Sequence, residues 1–305
     1  MSTRPQARSH LYVPGDKPEV LAKALGRGAD ALIVDLEDAV APTAKEQARL
    51  IIVEWLATLP VAAENPVEIW IRTNPGSDAL VDVAAVASPA VTGFCIAKTE
   101  SVEEIENVAA ELDVIEENLG LPRGTFALAP LLESAAAVFK AQDIAKASRV
   151  KRLQVGEADL RADVGFTLGD DQRELLFVRS MVVLASAAAG IDPPVGPVDP
   201  NFRDTDALRE TTLAVQRLGY LGRACIHPAQ AAVVNDVFTP SAESVEAARS
   251  LIERFDAAIA SGAGVFVDNG KMVDEAVVRQ ARRTLALARY APLTPFRERW
   301  HSPSP

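Results

Sequence analysis

Cysteine is nearly absent from this chain of 305 residues: Cys95 and Cys225 are the only two. Two thiols, each inside an apolar run (Phe94-Cys95-Ile96 and Ala224-Cys225-Ile226), exclude a disulfide framework and a zinc site. They read as buried free thiols in a reducing compartment. Basic residues are in deficit. A net charge of −11 and a pI near 4.9 argue against a nucleic-acid partner, which needs a basic surface. No apolar run reaches membrane-spanning length, and residues 1–8 are polar, without the apolar core of a signal peptide. The expectation is a soluble, cytoplasmic protein that does not engage a membrane. Several motifs are missing too. Gly15, Gly156 and Gly165 form neither GxGxxG nor a P-loop, so a dinucleotide or NTP site has no support. Without HExxH or GxSxG, zinc-protease and serine-hydrolase chemistry have none either.

What the chain has in quantity is short apolar runs alternating with helical stretches. Strands are expected at His10-Leu11-Tyr12-Val13, Ala31-Leu32-Ile33-Val34, Glu68-Ile69-Trp70-Ile71 and Gly93-Phe94-Cys95-Ile96. Further strands end at Leu132 and Gly156, with a weak proline-laden one at 194–198 and a last one at Ala224-Cys225-Ile226. Helices are expected over 18–25, 45–59, 79–87, 101–118, 134–147, 172–189 and 206–218. Ser101 and Glu104 form a capping box. Eight strand–helix alternations are the count of a TIM (β/α)8 barrel, with parallel pairing imposed by the helical crossovers. The later chain breaks the rhythm: a helix over 241–261, a Gly262-Ala263-Gly264 break, a hairpin over 265–273 with an Asn269-Gly270 turn, and a final helix capped by Asp274. The expected organisation is a barrel over 1–239, a C-terminal helix-and-hairpin lid over 240–291 and a loosely ordered tail over 292–305.

Charged residues collect where the barrel strands should end. Asp35-Leu36-Glu37-Asp38, Arg72, Glu133 and Asp159 each follow an apolar run. Ligands of α/β folds bind at the carboxyl ends of strands. A lone carboxylate there is most simply a helix cap or a solvated charge; four groups at one end of one barrel suggest a site. Glu133 and Asp159 suit a hard divalent cation such as Mg²⁺, which keeps several waters and takes one or two protein carboxylates. Glu37 and Asp38 exceed that need, and are read as accepting hydrogen bonds from metal-bound waters or from Arg72. Arg72 offers a planar fork of donors suited to an oxo-acid carboxylate, and an ion pair to Glu37 or Asp38 can coexist with that role. His227-Pro228 is read as a packed turn or part of the substrate lining rather than as a base.

Taken together these segments resemble the HpcH/HpaI aldolase superfamily, that is, the β subunit of citrate lyase and its stand-alone relatives such as malyl-CoA and citramalyl-CoA lyases. The resemblance runs through Arg8-Ser9-His10-Leu11-Tyr12-Val13-Pro14-Gly15, Asp35-Leu36-Glu37-Asp38-Ala39-Val40 with Lys45 and Arg49, and Ile71-Arg72-Thr73-Asn74-Pro75. It continues through Ala97-Lys98-Thr99-Glu100, Leu131-Leu132-Glu133-Ser134, Gly156-Glu157-Ala158-Asp159-Leu160, Cys225-Ile226-His227-Pro228 and Gly270-Lys271-Met272-Val273-Asp274. It implies a barrel with a C-terminal lid, assembled as a homotrimer or hexamer. It also implies Mg²⁺ on Glu133 and Asp159, with Glu133 beside the substrate, and an oxo acid gripped by Arg72. Asp274 is implied to reach a neighbouring subunit's site as the acid/base for the acetyl carbon. The chain departs from the pattern once: relatives usually read Gly-Ala-Glu-Asp-Leu, and Glu157 is expected on the opposite side of the strand from their Glu. The implied activity is Mg²⁺-dependent carbon–carbon cleavage of a β-hydroxyacyl-CoA or related thioester to a 2-oxo acid and an acyl thioester. Thioester hydrolysis after condensation, a subunit acting on an acyl-carrier thioester within a citrate lyase complex, and a non-catalytic oxo-acid sensor are the alternatives.

Overall fold

A computed structural model describes residues 6–262, 265–268 and 270–288. Ala263, Gly264, Asn269, residues 289–291 and the expected tail over 292–305 lie outside the described residues. Among those described, Ala7–Asp236 form one compact unit, and the residues from Val237 onward, with Gln6, form another.

The larger unit begins with β1 (Ser9–Pro14), α1 (Pro18–Ala24), β2 (Ala31–Asp35) and α2 (Lys45–Leu56). β3 (Glu68–Thr73), α3 (Asp78–Val86), β4 (Gly93–Ile96) and α4 (Val102–Leu119) follow. Next come β5 (Ala127–Leu132), α5 (Ala135–Phe139), α6 (Ala141–Ile144), β6 (Gln154–Val155), α7 (Glu157–Val164) and α8 (Leu176–Ala189). The unit closes with α9 (Thr205–Leu218), β7 (Arg223–Cys225) and α10 (Pro228–Phe238), which runs across the boundary.

The seven strands form one parallel sheet in the order β6-β5-β4-β3-β2-β1-β7. The expected seventh strand over 194–198 is not one: single bridges Gln154–Val195 and Gly196–Arg223 join the two edges of the sheet there. Pro194 and Pro197 flank these positions, and proline has no N–H to extend a ladder. The result is TIM-barrel-like. β2 and β3 are buried along their whole length, as the helix layer outside and the core inside require of a parallel sheet. Trp70, Cys95 and Ile33 lie in the core with Ala7, Ala31 and Ala129. Both cysteines are free and buried.

Local signals hold with small shifts. Ser101 caps α4 by accepting from the Glu104 amide, while Glu104 accepts from the amide of Glu100, so the box closes one residue earlier than expected. The expected helix over 134–147 is two short ones, α5 and α6. The expected helix over 172–189 begins only at Leu176, after a 3₁₀ turn at Arg173–Leu175, because Gln172 is left-handed (φ 52°).

The smaller unit holds α11 (Ala242–Ala260), the antiparallel hairpin β8 (Phe266–Asp268) and β9 (Lys271–Val273), and α12 (Glu275–Leu287). Phe255, Val273 and Val278 form its core. Asp274 caps α12, its Oδ1 accepting from the amides of Ala276 and Val277.

Candidate active site

A cavity of about 420 Å³ opens at the carboxyl ends of the strands. Tyr12, Asp35, Asp38, Arg72, Glu133, Glu157 and Asp159 supply its polar lining, and Leu131, Val155, Val198 and Ile226 apolar wall. The volume lies in the ordinary range for a small-molecule site.

Arg72 ends up where the register of two strands puts it. It is the Cα partner of Asp35 across β3 and β2. Its Nε donates to Asp35 Oδ1 at 2.7 Å and its Nη2 to Oδ2 at 2.5 Å. Nη1 contacts Glu37 Oε2 at 2.8 Å and Asp38 Oδ2 at 3.5 Å. These contacts occupy four of the five donors of a guanidinium and leave one hydrogen on Nη2. Burial works against the charge of Arg72, but the hydrogen bonds to Asp35 and the neighbouring acids outweigh it and raise its pKa. Asp35, expected at a strand end but given no role of its own from sequence, therefore holds the fork. Its own oxygens also accept from the amides of Glu37 and Ala39, which shapes the turn that follows.

Glu37 stands behind the cavity, 3% exposed, between Arg72 and the Lys98 ammonium. Burial raises its pKa against the pull of both cations. Asp38 projects into the cavity lining.

Lys98, two residues beyond the end of β4 in the Ala97-Lys98-Thr99-Glu100 segment, is likewise given no role from sequence. It is left-handed (φ 50°), an uncommon state for a residue with a side chain. That turn lets one residue meet two acids: its amide donates to Glu133 Oε2 at 2.8 Å while its ammonium binds Glu37. Tyr12 is the third omission. It lies beneath Arg72, whose Cζ is 5.0 Å from the ring centroid, and its hydroxyl accepts from Gln154 Nε2.

Glu133 follows β5 and is 5% exposed. Burial first, then the nearby charges of Asp159 and Glu37, push its pKa up to about 8 despite the Lys98 amide and Arg72. It packs on Gly156, where a Cβ would fall 2.4 Å from Glu133 Oε1. Asp159 is not at a strand end as expected. β6 stops at Val155, Gly156 (φ −89°, ψ 86°) turns the chain, and Asp159 is the third residue of α7. The expected alternation about a strand therefore does not govern Glu157, which opens the same helix and lines the same cavity. Its carboxylate meets Arg179 on α8 at 2.6 and 2.8 Å.

The remaining motif residues brace the loops. Lys45 donates to the carbonyls of Leu36 and Glu37 and to Asn74 Oδ1. Arg49 and Asn74 share Asp82. His227 is exposed, stacks on Phe202 (centroids 4.9 Å apart) and accepts from the Ala229 amide, a turn-forming role. Asp274 belongs to the smaller unit, where it is seen as the helix cap described above.

Among the described residues no group of three or more His, Cys, Asp or Glu is arranged to hold a metal. The pair Glu133 and Asp159 fits a more modest demand. Mg²⁺ binds through one or two carboxylates and retains water. An acid raised to about 8 by burial and by a second carboxylate is one whose charge a cation would relieve.

Residues 8–228 match the HpcH/HpaI aldolase/citrate lyase family. The chain belongs to that family. It is 31% identical to the citrate lyase subunit beta of Leuconostoc mesenteroides subsp. cremoris over 285 residues, 92% of this chain and 93% of that one. It is 34% identical over 286 residues to a (3S)-malyl-CoA thioesterase of Cereibacter sphaeroides, 92% of this chain and 94% of that one. Protein CitE from Mycobacterium tuberculosis, solved in complex with magnesium, acetoacetate and coenzyme A, superposes with a TM-score of 0.74 at 30% identity. That match covers 94% of this chain and 99% of CitE. No helix among the described residues is long and apolar enough to cross a membrane.

Proposed function

We propose that this family member is a Mg²⁺-dependent carbon–carbon lyase that splits a β-hydroxyacyl-CoA or related thioester into a 2-oxo acid and an acyl thioester. The observation that carries the reading is the buried acid Glu133 beside Asp159, with a pKa near 8, in the same cavity as Arg72. Glu133 and Asp159 are assigned to hold Mg²⁺. When bound, that ion supplies Lewis acidity to the substrate hydroxyl and carboxylate. Arg72, fixed by Asp35 and pressed over Tyr12, presents its remaining hydrogen to the oxo-acid end and to the negative charge that develops there. Glu37 and Asp38 hold Arg72 and Lys98 in place, and Asp38 also faces the cavity. The enolate released by cleavage needs a proton on carbon; Asp274 is assigned to give it, from a neighbouring subunit of a homotrimer or hexamer. A cavity of this size accommodates an oxo acid with the acyl end of a thioester and leaves the CoA nucleotide outside.

Thioester hydrolysis is the rival outcome in the same site, supported by the likeness to the malyl-CoA thioesterase. Incubating the purified chain with malyl-CoA and Mg²⁺ separates the readings. Glyoxylate and acetyl-CoA mark a lyase; malate and free CoA mark a thioesterase. No turnover by the chain alone, restored by acyl-carrier and transferase subunits, would place it in a citrate lyase complex. No turnover under either condition, with oxo acid still bound, would leave the sensor reading.

A further inference from the structure

Glu157 is, like Asp35, a cavity-lining acid whose two oxygens are taken by a single guanidinium, and its partner comes from another helix, α8. Arg179 Nε and Nη2 meet Oε1 and Oε2 at 2.6 and 2.8 Å. The pair is well buried, with side chains 9% and 13% exposed. Arg179 is itself fixed. Nη2 also donates to Gln172 Oε1 at 2.8 Å, and its carbonyl accepts from the Tyr220 hydroxyl. A carboxylate with both oxygens so engaged is a poor further ligand for a cation.

Its place in α7 gives it another use. The helix has no side-chain cap at Gly156. The Gly156 amide ties its start to the Leu132 carbonyl on β5, and Asp163 near its other end accepts from the Ala135 amide on α5. Both of those ties run to the β5–α5 side. The Glu157–Arg179 pair runs instead to α8 and sets how the first turn is rotated about the helix axis. Asp159 is two residues further along the same turn. Gly156, just before it, carries the Glu133 carboxylate against its Cα. The rotation of this turn therefore sets Asp159 relative to Glu133.

We infer that Glu157 is a positioning residue: through Arg179 it holds the first turn of α7 so that Asp159 meets the cation opposite Glu133. This rests on the metal reading above. Partners that orient a metal ligand commonly change metal affinity 10–100-fold when removed.

The test is Mg²⁺ titration calorimetry on the full chain, with circular dichroism to score the folded state. The variants are Glu157→Gln and Glu157→Gln/Arg179→Met, the second chosen because it leaves no unpaired buried charge. The expected result is a Kd for Mg²⁺ raised about 10–100-fold in Glu157→Gln, with native helix content. The double variant should be weakened to the same degree, since one link is lost in both; parental affinity in it overturns the positioning role even where Glu157→Gln is weakened, because lost charge then explains that loss. Unchanged Kd in folded Glu157→Gln overturns the positioning role while the metal reading stands. A parent chain that itself fails to bind Mg²⁺ overturns both. If Glu157→Gln does not fold, the double variant decides alone: parental affinity there overturns the proposal, and a 10–100-fold loss supports it.

Discussion

Glu133 shows how one residue can weaken a fold for the sake of a site. Its pKa in the folded protein, about 8, lies above the value of a free glutamate. The folded state therefore binds its proton more tightly than the unfolded chain does. The stability this confers is complete below about pH 4.3, the unfolded value. It is lost as pH rises to about 8. At pH 8.5 the metal-free protein bears a penalty on the order of 5 kcal/mol. Glu133→Gln, which still accepts from the Lys98 amide, should raise the melting temperature of the metal-free protein by several degrees at pH 8.5 and leave it nearly unchanged at pH 4. Calorimetric scans at the two pH values check this, and equal melting temperatures at pH 8.5 count against it. The same proton must leave when Mg²⁺ binds. Affinity for Mg²⁺ should therefore fall below pH 8, toward tenfold per unit, with proton release visible when binding heats are compared across buffers. Arg72→Lys should retain positive charge yet lose the two-pronged hold on Asp35. Oxo-acid binding should weaken at least tenfold; pyruvate or glyoxylate affinity equal to the parent's would make Arg72 purely a brace.

Elements depend on ties that the strand–helix pattern does not display. Arg149, left-handed at φ 64°, packs against α4 after α6. It donates to Glu116 at 2.7 Å through both Nη atoms, to Asp113 and to the Phe126 carbonyl. Glu116 is 1% exposed and also accepts from the amides of Gly124 and Phe126. Burial opposes its ionisation, but Arg149 and these amides hold its pKa low. Arg149→Ala leaves that carboxylate buried without its cation and should cost about 3 kcal/mol, read from denaturant unfolding. Arg149→Met should cost less if Glu116 is changed to Gln at the same time, because the uncompensated charge is then gone.

At the scale of the whole molecule the question is whether the two units of different chains cooperate. Asp274 caps α12, so Asp274→Ala loses a cap as well as a carboxyl. Asn caps as well as Asp but cannot give up a proton in this way. Asp274→Asn should keep its melting temperature and its Mg²⁺ affinity, and lose at least a hundredfold in turnover. Co-expressed with Glu133→Gln, it should regain part of the activity in mixed oligomers, where an intact metal site meets an intact Asp274. Mixed oligomers that remain inactive would argue against action across subunits.

The amino-acid sequence by itself determined the periodicities and the turns. Seven parallel strands, the helices between them, the Ser101 and Asp274 caps and the two buried thiols follow from local patterns of burial and hydrogen bonding along the chain. It also placed Asp38, Arg72 and Glu133 at strand ends, because a strand stops where its apolar run stops. The tertiary structure decided what crosses between elements. Asp35 faces Arg72 only because β2 and β3 pair in one register. Lys98 reaches Glu133 and Glu37 together only through a left-handed turn that no composition signals. Asp159 and Glu157 lie on a helix because Gly156 turns the chain against the packed Glu133 carboxylate, and Glu157 finds Arg179 across 22 residues. Such contacts depend on where separate elements come to rest, and local spacing carries no record of that.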